Sequence, residues 1–324
     1  MKRHDQHRRT ALRALPLACC PTAWASKRGL SVVASFSILA DLVRQVGGPD
    51  VNVVSLVGAD ADAHVFEPSP RDARTVGDAG LLVINGLGFE GWIDRLKKSV
   101  GFRGLEVVAS RRIKARRLGP RLHAHSKNEH AKNEGHGHHH HPGELDPHAW
   151  HDVANVLVYV DNIAQALAQA DPPNAAGYRT RVQAYSERLR ALDAAIRRAI
   201  GALPAQRRTI LTTHDSFGYY ADAYGLRILP VRGLSNEAEP SAREIARLAD
   251  RVRKERIAAL FLENITDPRL IEQLARETRT AIGGRLYSDA LSGPTGTARS
   301  YIELMETNTA TLVSALAPPA AGRA

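Results

Sequence analysis

Short apolar runs alternate with stretches of helical period along most of this chain. Residues 30–34, 51–57, 81–84 and 105–108 are rich in Val, Leu and Ile and read as strands. Between them, 38–46 repeats its apolar residues at helical spacing and stops at Gly47 and Gly48. Ser69 caps a second helix that runs to about Asp78, and 89–100 makes a third. Two helices then follow in succession, 153–168 and 175–200, separated by Asp171-Pro172-Pro173 and closed by Gly201 and Pro204. Beyond them the alternation restarts. Strands are predicted at 209–213, 227–231, 258–262 and 285–287, with helices at 217–224, after a Ser241 cap, at 268–279 and at 298–316.

Strands that alternate with helices pair in parallel and are covered on both faces. Two such series predict an α/β fold: two lobes with parallel-type sheets, joined by one long rigid linker helix. The predicted division is a leader at 1–25, a first lobe at 26–172, the linker at 173–203 and a second lobe at 204–324. One stretch breaks the pattern. Residues 123–141, HAHSKNEHAKNEGHGHHHH, hold nothing that drives a core and read as a mobile surface loop of the first lobe.

The N-terminus has the parts of an export signal: Lys2, Arg3, Arg8 and Arg9, then a short apolar stretch at 11–20, then Ala23-Trp24-Ala25 as a cleavage pattern. Arg13 weakens the apolar stretch, and Arg8-Arg9 leaves a twin-arginine leader open beside the general route. Leu17-Ala18-Cys19 is a poor lipoprotein signal, so a periplasmic protein without a lipid anchor is expected. Both cysteines, Cys19 and Cys20, fall in the leader. The mature chain therefore has neither a disulfide nor a thiolate ligand, and any metal site must use nitrogen and oxygen.

Charge narrows the partners. The formal net charge of +10 falls to +6 without the leader, and the remaining excess is scattered arginine such as Arg111, Arg112, Lys114, Arg116 and Arg117. Aromatics make up 5% of the chain and no nucleic-acid module is present, so nucleic acid is not the expected partner. That basic run reads as a solvated loop edge.

Histidine is the informative residue. Eight of the fourteen lie in the tract: His123, His125, His130, His136, His138, His139, His140 and His141. They are candidate low-affinity metal ligands. Outside the tract and the leader only His64, His148, His151 and His214 remain. Taken singly, a loop histidine is more often a surface residue. Yet His64 and His214 each follow a predicted strand, as does Asp289, and His148 stands at the mouth of a helix. Ligands of open α/β sheets bind beyond the carboxyl ends of the strands. Three imidazoles and one carboxylate are what a tetrahedral zinc site requires. His151 reads as facing solvent, and Asp146 as a cap of the helix after it.

The stretches DAHVFEPSP (62–70), NGLGFEGW (85–92), DPHAW (146–150), LTTHDSFGYY (211–220), NEAEPSAREI (236–245) and LYSDAL (286–291) resemble the metal-binding solute-binding proteins of ABC transporters. This cluster includes the zinc receptors ZnuA and TroA, and within it the chain most resembles AztC-type zinc receptors. The likeness runs in order over the whole mature chain. It implies two α/β lobes bridged by a rigid helix, with Zn²⁺ held between them as transported ligand by His64, His148, His214 and Asp289. It also implies an inner-membrane ABC importer permease as partner, a periplasmic zinc chaperone as a further candidate, and a monomer. Manganese receptors of the family usually have Glu where His214 stands, and a third imidazole favours zinc. The resemblance breaks at His151, whose position is variable or apolar in relatives, and at the second-lobe cysteine pair of some zinc members, absent here.

Two enzyme readings compete. Gly86-Leu87-Gly88-Phe89-Glu90-Gly91 fits a dinucleotide fingerprint with Glu106 as the ribose acid, but it follows the third strand rather than the first and opens too short a helix. A zinc hydrolase is the other. No H-E-x-x-H occurs, and four protein ligands would fill the position a catalytic zinc keeps open. A surface adhesin stabilised by zinc is a third alternative to a receptor.

Overall fold

The computed structural model describes residues 29–118, 144–231 and 241–318. The predicted leader, the His-rich loop 123–141 and residues 236–240 of the fifth motif lie outside them. The first sheet holds β1 (Leu30–Phe36), β2 (Val51–Val57), β3 (Leu81–Ile84) and β4 (Leu105–Val108), in the order β2-β1-β3-β4 and all parallel. The second holds β5 (Thr209–Thr212), β6 (Arg227–Pro230), β7 (Ala259–Glu263) and β8 (Ile282–Leu286), in the order β6-β5-β7-β8, again all parallel. The α/β prediction and its two sheets are borne out. Each order reverses beside its first strand, so each sheet has a crevice where the loops of its two middle strands part.

The helices are α1 (Ser37–Gly47), α2 (Pro70–Gly77), α3 (Ile93–Val100), α4 (Val153–Ala170), α5 (Ala175–Gly201), α6 (Gly218–Tyr224), α7 (Ala242–Lys254), α8 (Arg269–Thr278) and α9 (Tyr301–Leu316). The 27 residues of α5 span about 40 Å at 1.5 Å per residue. It packs on α1 and α4 of the first lobe and on α6 and α9 of the second. Tyr178, Tyr185, Leu189, Leu192, Ile196 and Ile200 form its buried face. One continuous apolar core runs from the first lobe through α5 and α9 to the inner side of the second sheet. A smaller core lies under α7 and α8.

Three boundaries depart from the sequence pattern for local reasons. α3 begins at Ile93 rather than Phe89, because the Glu90 carboxylate accepts the backbone N–H groups of Asn85 and Gly86 and folds the segment into a turn. α9 begins at Tyr301 rather than Ala298, because Ser300 caps it on Glu303 N–H and Asp41 of α1 accepts the Tyr301 N–H. β8 starts three residues early, at Ile282, and runs through two glycines that carry no apolar signal. A Cβ at Gly283 would lie 2.7 Å from the Phe261 ring, and Gly284 has φ +133° beside a register shift in the β7–β8 pair.

Candidate metal centre

His64 lies in the loop after β2, His214 just after β5 and Asp289 just after β8. His148 precedes a single 3-10 turn, Ala149–His151, that leads into α4. The structure brings these four predicted residues together, with one donor atom from each within 4.8 Å of the others. His64 Nε2 is 3.3 Å from His148 Nε2 and 3.2 Å from Asp289 Oδ2. His214 Nε2 is 3.1 Å from Asp289 Oδ2, and His148 Nε2 is 3.6 Å from Asp289 Oδ1. A tetrahedral ion with bonds of about 2.0–2.1 Å requires ligand–ligand edges of about 3.3–3.4 Å. The observed edges bracket that value. His148, His214 and Asp289 are fully buried. Asp289 Oδ1 accepts no hydrogen bond among the described residues, which leaves a buried acceptor for a cation to satisfy.

The imidazoles are aimed by groups behind them. Asp146 Oδ1 accepts the His148 backbone N–H at 3.0 Å and lies 2.9 Å from its Nδ1. Arg116 donates to the other oxygen of Asp146 at 3.0 Å and to Asp222 at 3.0 Å. Gly218 permits this pair, since a Cβ there would lie 2.4 Å from the Arg116 guanidinium. On the second lobe, Glu263 accepts the backbone N–H groups of Thr213 and His214, and its Oε2 lies 2.6 Å from His214 Nδ1. An imidazole whose Nδ1–H faces a carboxylate presents its Nε2 lone pair outward. His64 is placed from its chain neighbours: Trp92 Nε1 donates to Ala63 O at 2.9 Å, and His64 N–H donates to Asp62. Trp92 is itself buried in the core.

The carboxylates govern protonation. Burial alone would lower the His148 pKa, but Asp289 and Asp146 more than offset it and raise it to about 9. For His214 burial is likewise outweighed by Glu263 and Asp289, which hold its pKa well above the ordinary imidazole value. Burial opposes ionisation of Asp289, yet His148 and His214 keep its pKa well below the carboxylate range. A cation entering this cluster therefore displaces protons.

Several sequence expectations are corrected. His151 does not face solvent: it is fully buried, its ring lies 4.5 Å from that of Phe217, and neither ring nitrogen has a partner among the described residues. Asp146 aims His148, and the cap of α4 is Asp152, whose side chain accepts Ala154 N–H. The basic run is not wholly a solvated edge, for Arg112 bonds Asp161 and Asn162 while Arg116 is half-buried against Asp146. Glu263, Arg116 and the turn-forming Glu90 were missed. The signal for Glu263 is an acid closing an otherwise apolar strand. The glycine-rich stretch has no phosphate cradle, since the Asn85 and Gly86 N–H groups already donate to Glu90 and Glu106 pairs with Lys97 at 2.6 Å.

Two α/β lobes that meet over a buried, convergent set of nitrogen and oxygen donors have the architecture of a binding protein. The family model described as zinc-uptake complex component A, periplasmic, matches residues 32–315. The chain belongs to this family of periplasmic metal-binding receptors of ABC transporters. It is similar to the zinc-binding protein TroA of Treponema pallidum, 32% identical over 88% of each chain. It is also similar to the iron-binding protein YfeA of Yersinia pestis, 30% identical over 85% of this chain and 82% of that one. The manganese-binding lipoprotein MntA of Halalkalibacterium halodurans is 31% identical over 89% of each. The solved structure of periplasmic TroA superimposes with a TM-score of 0.78 at 29% identity, covering 90% of this chain and all of that one. The chain is a binding protein and not an enzyme.

Proposed function

We propose that this protein is a zinc receptor: it captures Zn²⁺ between its lobes with His64, His148, His214 and Asp289 and delivers it to the permease of an ABC importer. The observation that carries this reading is the convergence of three imidazole nitrogens and one carboxylate in a buried cluster. The relatives bind zinc, iron or manganese by name, so the metal is argued from the donors. Neutral imidazole suits zinc, and carboxylate or water suits manganese. The third imidazole, His214, tips the set toward zinc. The histidines of 123–141 act as a low-affinity collector that raises local zinc concentration and accepts zinc from a periplasmic chaperone. Export through the N-terminal leader would place the protein in the periplasm, where it acts as a monomer. MntA is a lipoprotein by name, so the expectation of a chain without a lipid anchor gains nothing from these relatives.

The test is a competitive titration of the mature protein lacking residues 123–141, with Zn²⁺ and Mn²⁺ in parallel. One tightly held Zn²⁺ per chain, with Mn²⁺ bound far more weakly, is expected. Loss of all zinc binding on deletion of the tract would refute the four-residue site, and tighter Mn²⁺ binding would refute the choice of metal.

A further inference from the structure

Metal loops in two lobes can close on an ion only if something sets their separation, and one exposed aspartate spans that gap. Asp60 lies in the loop after β2, four residues before His64, with φ +51°. That left-handed conformation is free for glycine and carries a modest cost for aspartate, whose side chain here is in use. Both carboxylate oxygens cross to the second lobe. Oδ1 accepts Asn264 Nδ2 at 3.0 Å, and Oδ2 accepts the Gly293 backbone N–H at 3.0 Å. The Asp60 backbone N–H donates to Leu291 O at 2.9 Å.

These partners enclose Asp289. Asn264 Oδ1 accepts the Ser288 N–H at 3.2 Å, and Asn264 Nδ2 also donates to Ala290 O at 3.2 Å. Asn264 therefore grips the chain on both sides of Asp289 while bonded to Asp60. Two further contacts from the first lobe hold the same loop: Trp150 Nε1 on Ser288 O at 3.0 Å, and Ser37 Oγ accepting the Leu291 N–H at 3.0 Å. The backbone polar groups flanking Asp289 are thus shared between Asn264 of its own lobe and three contacts from the lobe that carries His64 and His148. His214 has a separate support in Glu263.

We infer that Asp60 is a positioning residue for the metal site, a clasp that registers the Asp289 loop against the His64 loop and slows release of the ion. This inference rests on the four-residue site proposed above. Because Asp60 acts on the closed arrangement, its loss should accelerate dissociation and leave capture nearly unchanged.

The test uses Asp60→Gly, which relieves the backbone while deleting both acceptors, so a folded protein is expected. Zn²⁺ affinity is measured against a chromophoric chelator, and Zn²⁺ release by stopped flow into excess EDTA. Both are measured in the unmodified, Asp289→Ala and His214→Ala backgrounds. In the unmodified background release should speed up about tenfold, the scale of one hydrogen bond to a charged acceptor, with association within about twofold. The affinity penalty should persist beside His214→Ala and vanish beside Asp289→Ala. An equal penalty in all three backgrounds, or none in the unmodified one, overturns the inference. Absence of tight zinc binding in the unmodified protein would instead sink the site itself.

Discussion

The two lobes repeat one sheet order, and each buries a glutamate at the carboxyl end of its third strand in sequence. Glu90, in the turn after β3, accepts Ser35 Oγ–H and the Asn85 and Gly86 N–H groups. Burial pushes its pKa up, against those hydrogen bonds. Glu263, the last residue of β7, accepts the N–H groups of Thr213 and His214 and faces His214 Nδ1. The first closes a turn and the second aims a proposed ligand. What separates them is the side chain delivered by the neighbouring middle strand. The loop after β5 brings an imidazole, whereas β1 ends in Phe36, whose ring packs 4.9 Å from Phe89 and 5.0 Å from Trp150. A buried carboxylate at a switch point takes its role from what stands against it.

Removing the ligand that Glu263 supports is the harshest way to break this comparison. His214→Ala should weaken Zn²⁺ binding by more than about 100-fold, beyond the 10–100-fold typical of groups behind a ligand. A competitive titration measures it, and a change under tenfold would place His214 outside the coordination sphere.

Acid comes next in size. The folded pKa of His148 is about 9, above the ordinary 6.5, and that of His214 is raised as well. Protonation of His148 therefore stabilises the metal-free fold fully below about 6.5, and that contribution disappears as pH rises through about 9; the raised pKa of His214 acts in the same direction. Ligation needs the same nitrogens neutral. Zinc affinity should strengthen across this window by about tenfold per pH unit for each proton released, while the Tm of the metal-free protein falls. An unperturbed imidazole would confine the loss of zinc binding to pH values near 5 to 6. Affinity flat between 6.5 and 9 would show that the carboxylates do not hold these protons.

The glutamate pair itself gives the sharpest contrast. Glu263→Gln should cost about tenfold or more in zinc affinity, because an amide no longer faces His214 Nδ1 as a charged acceptor. Glu90→Gln should leave affinity within about twofold and lower stability by about 1–3 kcal/mol, the cost of a weakened buried acceptor. Equal effects of the two substitutions on zinc binding would erase the distinction between the lobes.

Period and punctuation made the fold legible. Val51–Val57, Leu81–Ile84 and Leu105–Val108 are short runs rich in Val, Leu and Ile, and their strands have the predicted ends. Side chains that reach across the sequence were not legible. Glu90 shortens α3 through bonds to residues before it, and Asp41 sets the start of α9 from 260 positions away. The three histidines could be picked out because histidine is scarce outside the tract, and His64, His214 and Asp289 because each follows a strand where the loops of an α/β sheet meet a ligand. Their supports could not, since an acid at a strand end or an arginine in a basic run looks like any surface charge until the partner is placed.

His151 is the counterexample, a histidine that sequence placed in water and the fold buries. Burial and the neighbouring His148 depress its pKa to about 3, so it is neutral across the physiological range. Both ring nitrogens lack partners among the described residues while the ring lies tilted against Phe217. An unsatisfied buried polar group costs roughly 1–3 kcal/mol, and an apolar replacement of similar shape removes that cost. His151→Phe should therefore raise the Tm by about 2–4 °C or more and change zinc affinity by less than about twofold. Calorimetry and the same competitive titration read the two quantities separately. A Tm that stays level with affinity intact would mean an ordered water already satisfies the ring. A tenfold loss of zinc binding would make His151 a fifth donor rather than a packing residue.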